Sequence, residues 1–270
     1  MFKAIVSDLD GTLLNAEHKV SEFTRETVKL LLQKGIKFYI ATGRNYLGAK
    51  EAMDELGVKI PLITSHGSAA FDENGNEIFS NRLKREYLDK VLNIDYKAFG
   101  KDIIITGYSG PNWFVTEDLR EYFYNKKPDR TRYPKQITPS EFKKRDFAKI
   151  FFLGEDHDEL LELENEIKRV VGEENISLLF ANEGSLEVFP ADCNKAKAAE
   201  VVLERDGLTL KDAVSFGDGL NDYELITETG LGFAMGNSIY LLLEKLTDTE
   251  VIGSNANDGM AKKVRELFDL

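Results

Sequence analysis

Short apolar runs alternate with amphipathic stretches of helical period at both ends of this chain, and the alternation breaks off in the middle. Residues 3–8, 36–41 and 61–64 read as strands. Residues 21–34 carry Phe23, Val28, Leu31 and Leu32 near helical spacing and stop at Gly35, and residues 46–56 read as a second helix. The rhythm returns after residue 190, with helices expected at 195–205, 222–227, 239–246 and 261–268 and strands at 213–216, 231–235 and 250–252. Strands that alternate with helices pair in parallel through crossover connections, which gives a sheet covered on both faces.

Between these halves the pattern changes. Residues 71–79 predict a hairpin turning on Asn74-Gly75. Strand-like runs follow at 102–108, 113–116, 148–154, 176–180 and 186–189, with the clearest helix at 158–171. The expected fold is therefore α/β, a Rossmann-like doubly wound parallel sheet built from residues 1–82 and 191–270, with an α+β domain inserted at 83–190. A chain of 270 residues that is 42% hydrophobic can fill two cores.

Charge and composition narrow the function. The net charge of −12 argues against a nucleic-acid partner. It also repels anionic substrates at long range, so a phosphate site here must gather positive charge locally. The single cysteine, Cys193, precludes an internal disulfide and fits a cytoplasmic setting. Asp8 interrupts the first apolar run, so no signal peptide is expected, and no run reaches the ~18 apolar residues of a membrane span. His18, His66 and His157 lack zinc-ligand spacing. No protein partner is evident.

The first strand ends in Asp8-Leu9-Asp10-Gly11-Thr12. Residues i and i+2 of a strand share a face, so Asp8 and Asp10 converge at its carboxyl end, where open α/β sheets bind ligands. Two carboxylates so close need a cation between them or a proton on one, and Mg²⁺ suits such oxygen donors. Alone, the stretch reads equally well as a solvated turn. Three further clusters stand at comparable places: Thr42-Gly43-Arg44 after the second strand, Asn194-Lys195 at a helix start, and Gly217-Asp218-Gly219-Leu220-Asn221-Asp222 after another strand. Singly, Thr42 reads as a cap, Lys195 as a solvated lysine and Asp218 as a turn former. Four such clusters on one sheet edge argue for a site.

These motifs, in this order, resemble the haloacid dehalogenase (HAD) superfamily of phosphohydrolases. The long insertion resembles the α+β cap of its Cof-type subfamily, as do Phe233-Ala234-Met235-Gly236-Asn237 and Asn257-Asp258-Gly259-Met260-Ala261. The resemblance implies Asp8 as nucleophile, forming an aspartyl-phosphate, and Asp10 as general acid and then base. It implies Mg²⁺ held by Asp8, the backbone carbonyl of Asp10 and Asp218, with Asp222 in support. The backbone at Leu9, with Thr42, Gly43, Lys195 and Asn221, would cradle the phosphoryl oxygens. Arg44 and His66 are weaker candidates for substrate contact. The sequence departs from the family at Ser65-His66-Gly67-Ser68, where many relatives have Asn-Gly-Ala, and at Ala196, where glycine is usual.

The implied activity is Mg²⁺-dependent hydrolysis of a small phosphorylated metabolite, a sugar phosphate or a phosphorylated cofactor. A phosphomutase or phosphotransferase on the same core is an alternative, and a non-catalytic phosphometabolite-binding or phospho-accepting protein is another. Within the cap, the basic stretch 125–135 reads as a solvated loop or an anion contact, and Tyr108, Trp113 and Tyr133 as packing or pocket aromatics.

Overall fold

The computed structural model describes residues 2–119 and 133–270, so only the last three residues of the basic stretch 125–135 fall within it. The chain forms two compact units, Met1–Phe79 with Cys193–Leu270, and Ser80–Asp192. Elements are numbered along the whole chain.

The first unit is built on β1 (Ala4–Ser7), β2 (Lys37–Ala41), β3 (Leu62–Thr64), β4 (Ala69–Phe71), β5 (Glu77–Ser80), β12 (Ala213–Gly217), β13 (Leu231–Ala234) and β14 (Glu250–Val251). They lie in the order β14-β13-β12-β1-β2-β3-β4-β5. Strands from β14 to β3 pair in parallel, and β4 runs antiparallel to β3. This is an α/β doubly wound sheet. Its alternation explains the double covering: Ile5 faces a core with Leu31, Phe38, Leu56 and Val264, whereas its neighbour Val6 faces a core with Tyr39, Ala199 and Leu225. Helices α1 (Glu22–Gln33), α2 (Tyr46–Leu56) and α9 (Gly259–Phe268) supply the first face, and α6 (Lys195–Glu204) and α7 (Tyr223–Glu228) the second. A short α8 (Tyr240–Lys245) follows β13. The side chains of Ser21, Asn45 and Asn194 cap α1, α2 and α6 by accepting from backbone N–H groups of their first turns.

The hairpin expected at 71–79 is present, with β4 and β5 neighbours in the sheet and the reversal at 72–76; its first strand begins earlier than expected. After β3 the chain turns through Ser65–Gly67 and pairs back as β4, so residue 71 ends a strand. The reversal to β5 is then made by Asp72, whose Oδ1 accepts from the N–H groups of Asn74 and Asn76 at 2.9 and 2.8 Å, with Gly75 at φ 86°.

The second unit is α+β. Its sheet runs β10 (Ile176–Asn182), β11 (Ser185–Pro190), β9 (Lys149–Leu153), β6 (Ile104–Ser109), β7 (Asn112–Val115) and β8 (Lys135–Gln136). All pairs are antiparallel except β7 with β8. Helices α3 (Arg85–Leu92), α4 (Pro139–Lys143) and α5 (His157–Val171) share one core with the sheet through Leu88, Phe142, Phe152, Leu163 and Val188. Tyr108 and Trp113 stack near Phe151 in a separate buried cluster, while Tyr133 is exposed. The ends of the unit are joined where Asn81 Nδ2 donates to Asp192 Oδ1 at 2.8 Å. Among the described residues no helix is long and apolar enough to cross a membrane.

Candidate active site

The carboxyl ends of the central parallel strands carry the reactive side chains. Asp8 follows β1 directly, and its N–H donates to the Phe216 carbonyl at 2.9 Å, which fixes it between the ends of β1 and β12. The next residues form one wide, non-helical turn, closed by the Leu14 N–H on the Leu9 carbonyl at 2.9 Å. Within it Gly11 sits at φ 81°, a left-handed conformation that glycine adopts at no steric cost. A Cβ there would stand 2.2 Å from Asp218 Oδ2, so the glycine also makes room for that carboxylate. Thr12 Oγ1 donates to Asp218 Oδ1 at 3.0 Å.

Lys195, the first residue of α6, is 1% exposed. Its Nζ donates to Asp8 Oδ1 at 2.5 Å and to Asp222 Oδ1 at 2.6 Å. Asp222 uses its other oxygen to accept from the N–H groups of Asp218 and Gly219, at 3.1 and 3.0 Å. Asp8, Asp218 and Asp222 can each turn one oxygen to within 4.8 Å of the others. Burial, followed by the charges of Asp222 and Asp218, pushes the Asp8 carboxyl well above the usual range against the pull of Lys195. Burial and Asp222 push Asp218 up to about 6, partly offset by Thr12 and Lys195. Burial would lower Lys195, but the charges of Asp222 and Asp8 outweigh it and raise the ammonium above its ordinary value.

Three carboxylates against one ammonium leave two surplus negative charges when all are ionised. Oxygen donors of this number and charge fit a hard divalent cation.

The remaining candidates divide. Thr42 is buried at the end of β2, and its Oγ1 accepts from the Arg44 N–H at 3.1 Å. His66 lies against Gly43: a Cβ on Gly43 would meet the imidazole at 2.5 Å, and the ring Nδ1 is 3.2 Å from Asn221 Nδ2. Thr42, Gly43, His66 and Asn221 are thus linked. Leu9 has its side chain in the core and its carbonyl in the closing bond of the turn. Asp10 takes a different direction from Asp8. Arg44 grips it with two bonds, Nε to Oδ2 at 2.8 Å and Nη2 to Oδ1 at 2.5 Å, and His18 Nδ1 stands 3.7 Å from Oδ1. The carboxylate trio is therefore Asp8, Asp218 and Asp222, without the Asp10 side chain.

Two contributors do not emerge from the sequence reading. Thr12 stands in the sequence only as the last residue of the first motif, yet its hydroxyl bonds Asp218. Gly67, at φ 92°, lets the turn after β3 press on the start of α6: a Cβ would stand 2.2 Å from the Asn194 carbonyl oxygen. A glycine directly after a strand and a polar pair was the available signal.

Buried carboxylates, a buried lysine and glycine-dependent turns at the carboxyl edge of a doubly wound sheet define an α/β enzyme site. The chain belongs to the haloacid dehalogenase-like hydrolases, whose family model matches residues 5–264. Within them it groups with phosphatases. A Buchnera aphidicola protein bearing a provisional phosphatase name is 36% identical over 276 residues, covering 99% of each chain. The HMP-PP phosphatase of Yersinia pestis is 30% identical over 268 residues, covering 97% of this chain and 93% of that one. A haloacid dehalogenase-like hydrolase from Bacteroides thetaiotaomicron superposes with a TM-score of 0.81 at 27% identity, over 99% of this chain and 100% of that one.

Proposed function

We propose that the chain hydrolyses the phosphate monoester of a small metabolite, a sugar phosphate or a phosphorylated cofactor, through an aspartyl-phosphate on Asp8. The observation that carries this reading is the cluster of buried Asp8 and Asp222, both bonded to Lys195, with half-buried Asp218 beside them and two surplus negative charges among the four. Mg²⁺, held by Asp8, Asp218 and the Asp10 carbonyl with Asp222 in support, would neutralise that surplus and draw charge from the phosphoryl oxygens. Asp8 attacks phosphorus, and the bond to the leaving oxygen breaks as Asp10 delivers a proton to that oxygen. In the second step water attacks phosphorus, Asp10 takes its proton, and the Asp8 carboxylate is released with inorganic phosphate.

Lys195 keeps Asp8 aimed and compensates charge. The Leu9 backbone with Thr42, Gly43 and Asn221 would hold the phosphoryl oxygens, and His66 would orient the Asn221 amide. Asp10 must leave Arg44 to act as an acid, which gives Arg44 a part in timing. The unit Ser80–Asp192 is assigned as the inserted cap. The name of the Yersinia pestis relative adds HMP-PP to the compounds worth trying.

The test is phosphate release from sugar phosphates, pyridoxal phosphate, flavin mononucleotide and HMP-PP, with Mg²⁺, with EDTA, and with Asp8→Asn. Metal-dependent release lost in Asp8→Asn is expected. Transfer of the phosphoryl group to a second sugar without phosphate release would replace hydrolysis with mutase chemistry. Release that survives Asp8→Asn would refute the nucleophile.

A further inference from the structure

Two asparagines outside the reacting set hold the turn that carries Asp10. Asn237 lies in the loop after β13, and its Nδ2 donates to the Gly11 carbonyl at 2.8 Å. Its Oδ1 accepts from the Asn255 N–H at 2.9 Å, which orients the amide with its NH₂ toward Gly11. Asn255 Nδ2 in turn donates to the Leu14 carbonyl at 2.8 Å. The turn is therefore held at its middle and at its end by residues more than 200 positions away in sequence.

The same loop is bonded to the opposite side of the site. The Met235 N–H donates to the Gly217 carbonyl and the Ile239 N–H to the Asp218 carbonyl, each at 3.0 Å. Asn237 thus stands on a short bridge whose ends are anchored at Gly217 and Asp218 and whose side chain is anchored at Gly11. Gly11 and Asp218 stand in close contact: a Cβ on Gly11 would lie 2.2 Å from Asp218 Oδ2. Thr12, one residue on, bonds Asp218 as well.

We infer that Asn237 is a positioning residue, which through Asn255 and Gly11 sets the spacing between the Asp10 turn and Asp218. This rests on the phosphatase reading for its catalytic consequence, but its effect on the carboxylate spacing does not. Misplacing reacting groups by about 1 Å costs on the order of 10²-fold in rate. Asn237 is exposed and leaves no cavity when truncated, so its loss should act on geometry more than on stability.

The experiment compares wild type, Asn237→Ala and Asn237→Asp. Asn237→Asp keeps the shape and the acceptor for the Asn255 N–H but sets a carboxylate oxygen against the Gly11 carbonyl. Three readouts are taken: kcat and KM with Mg²⁺, Mn²⁺ binding followed by electron paramagnetic resonance, and the thermal midpoint. Expected are a kcat lower by about 10- to 100-fold in Asn237→Ala with KM within threefold, a larger loss in Asn237→Asp, and weaker Mn²⁺ binding in both. The thermal midpoint should stay near that of wild type. Mn²⁺ affinity and kcat both within twofold of wild type in the two variants would overturn the inference. If wild type hydrolyses nothing while Mn²⁺ affinity falls in the variants, the phosphatase reading fails and the positioning role stands. If wild type is active and only the thermal midpoint moves, Asn237 is structural and the inference fails.

Discussion

Replacing Asp218 with asparagine should stabilise the metal-free protein while removing one carboxylate of the proposed metal site. Burial and Asp222 push the Asp218 carboxyl up to about 6, against 3.8 for an ordinary aspartate. The separation of roughly two pH units, at about 1.4 kcal/mol each, amounts to about 3 kcal/mol. The folded protein holds this proton more tightly than the unfolded chain. Protonation therefore contributes stability fully below pH 3.8, and that contribution is lost as the pH rises through 6. Asparagine is permanently uncharged and still offers an oxygen to Thr12. Its advantage over aspartate should be nil near the lower value, grow between the two, and reach about 2–3 kcal/mol at pH 8. Urea unfolding followed by circular dichroism in EDTA, at three pH values across this window, measures the difference between the two proteins. Asp206 and Asp212, whose carboxyls are held low by their partners, titrate alike in both and cancel. Asp8, which the Asp218 charge helps to raise, is relieved in the variant and adds to the difference in the same direction. On the proposed metal site, saturating Mg²⁺ should reverse the order, because wild type would gain more from binding than the variant. An asparagine variant no more stable at pH 8, or an advantage unchanged across the window, would refute the reasoning.

Lys195→Met leaves Asp8 and Asp222 buried without their cation. It should cost about 3–5 kcal/mol at pH 8 in EDTA, recover in part on acidification as Asp8 takes a proton, and abolish phosphate release. Urea unfolding and a phosphate assay check both. Arg44→Lys removes the two-point grip on Asp10, which lysine cannot reproduce. It should lower kcat about tenfold and leave the thermal midpoint nearly unchanged, since the pair is part-exposed, at 30% and 42%. Gly11→Ala puts a Cβ against Asp218 in a left-handed backbone. It should cost at least about 1–2 kcal/mol and weaken Mg²⁺ binding measured by calorimetry.

The fold was legible because burial on both faces writes strands as unbroken apolar runs. Ala4-Ile5-Val6 and Phe38-Tyr39-Ile40-Ala41 are such runs, and Ser21 and Asn194 announce their helices as caps. The edge was less legible. Ala69-Ala70-Phe71 is too short to signal a strand, and its pairing with β3 depends on the turn between them. Of the site, the sequence shows which residues stand at strand ends and at a helix start. It does not show where their side chains go. Asp8 and Asp10 alternate correctly for a shared face, but a wide turn begins between them and sends Asp10 to Arg44. The bonds from Thr12 to Asp218 and from Asn221 to His66 join residues 206 and 155 positions apart, a separation at which spacing carries no information.

The order of strands has a consequence for synthesis. β1 lies between β2 and β12, and β12 is made only after the whole of Ser80–Asp192. As the chain leaves the ribosome, one edge of β1 therefore has no partner, and Asp8 has no lysine. The middle unit, continuous in sequence and with a core of its own, is free to fold in that interval. The sheet and the charge cluster can be completed together only when residues 193–270 have been made.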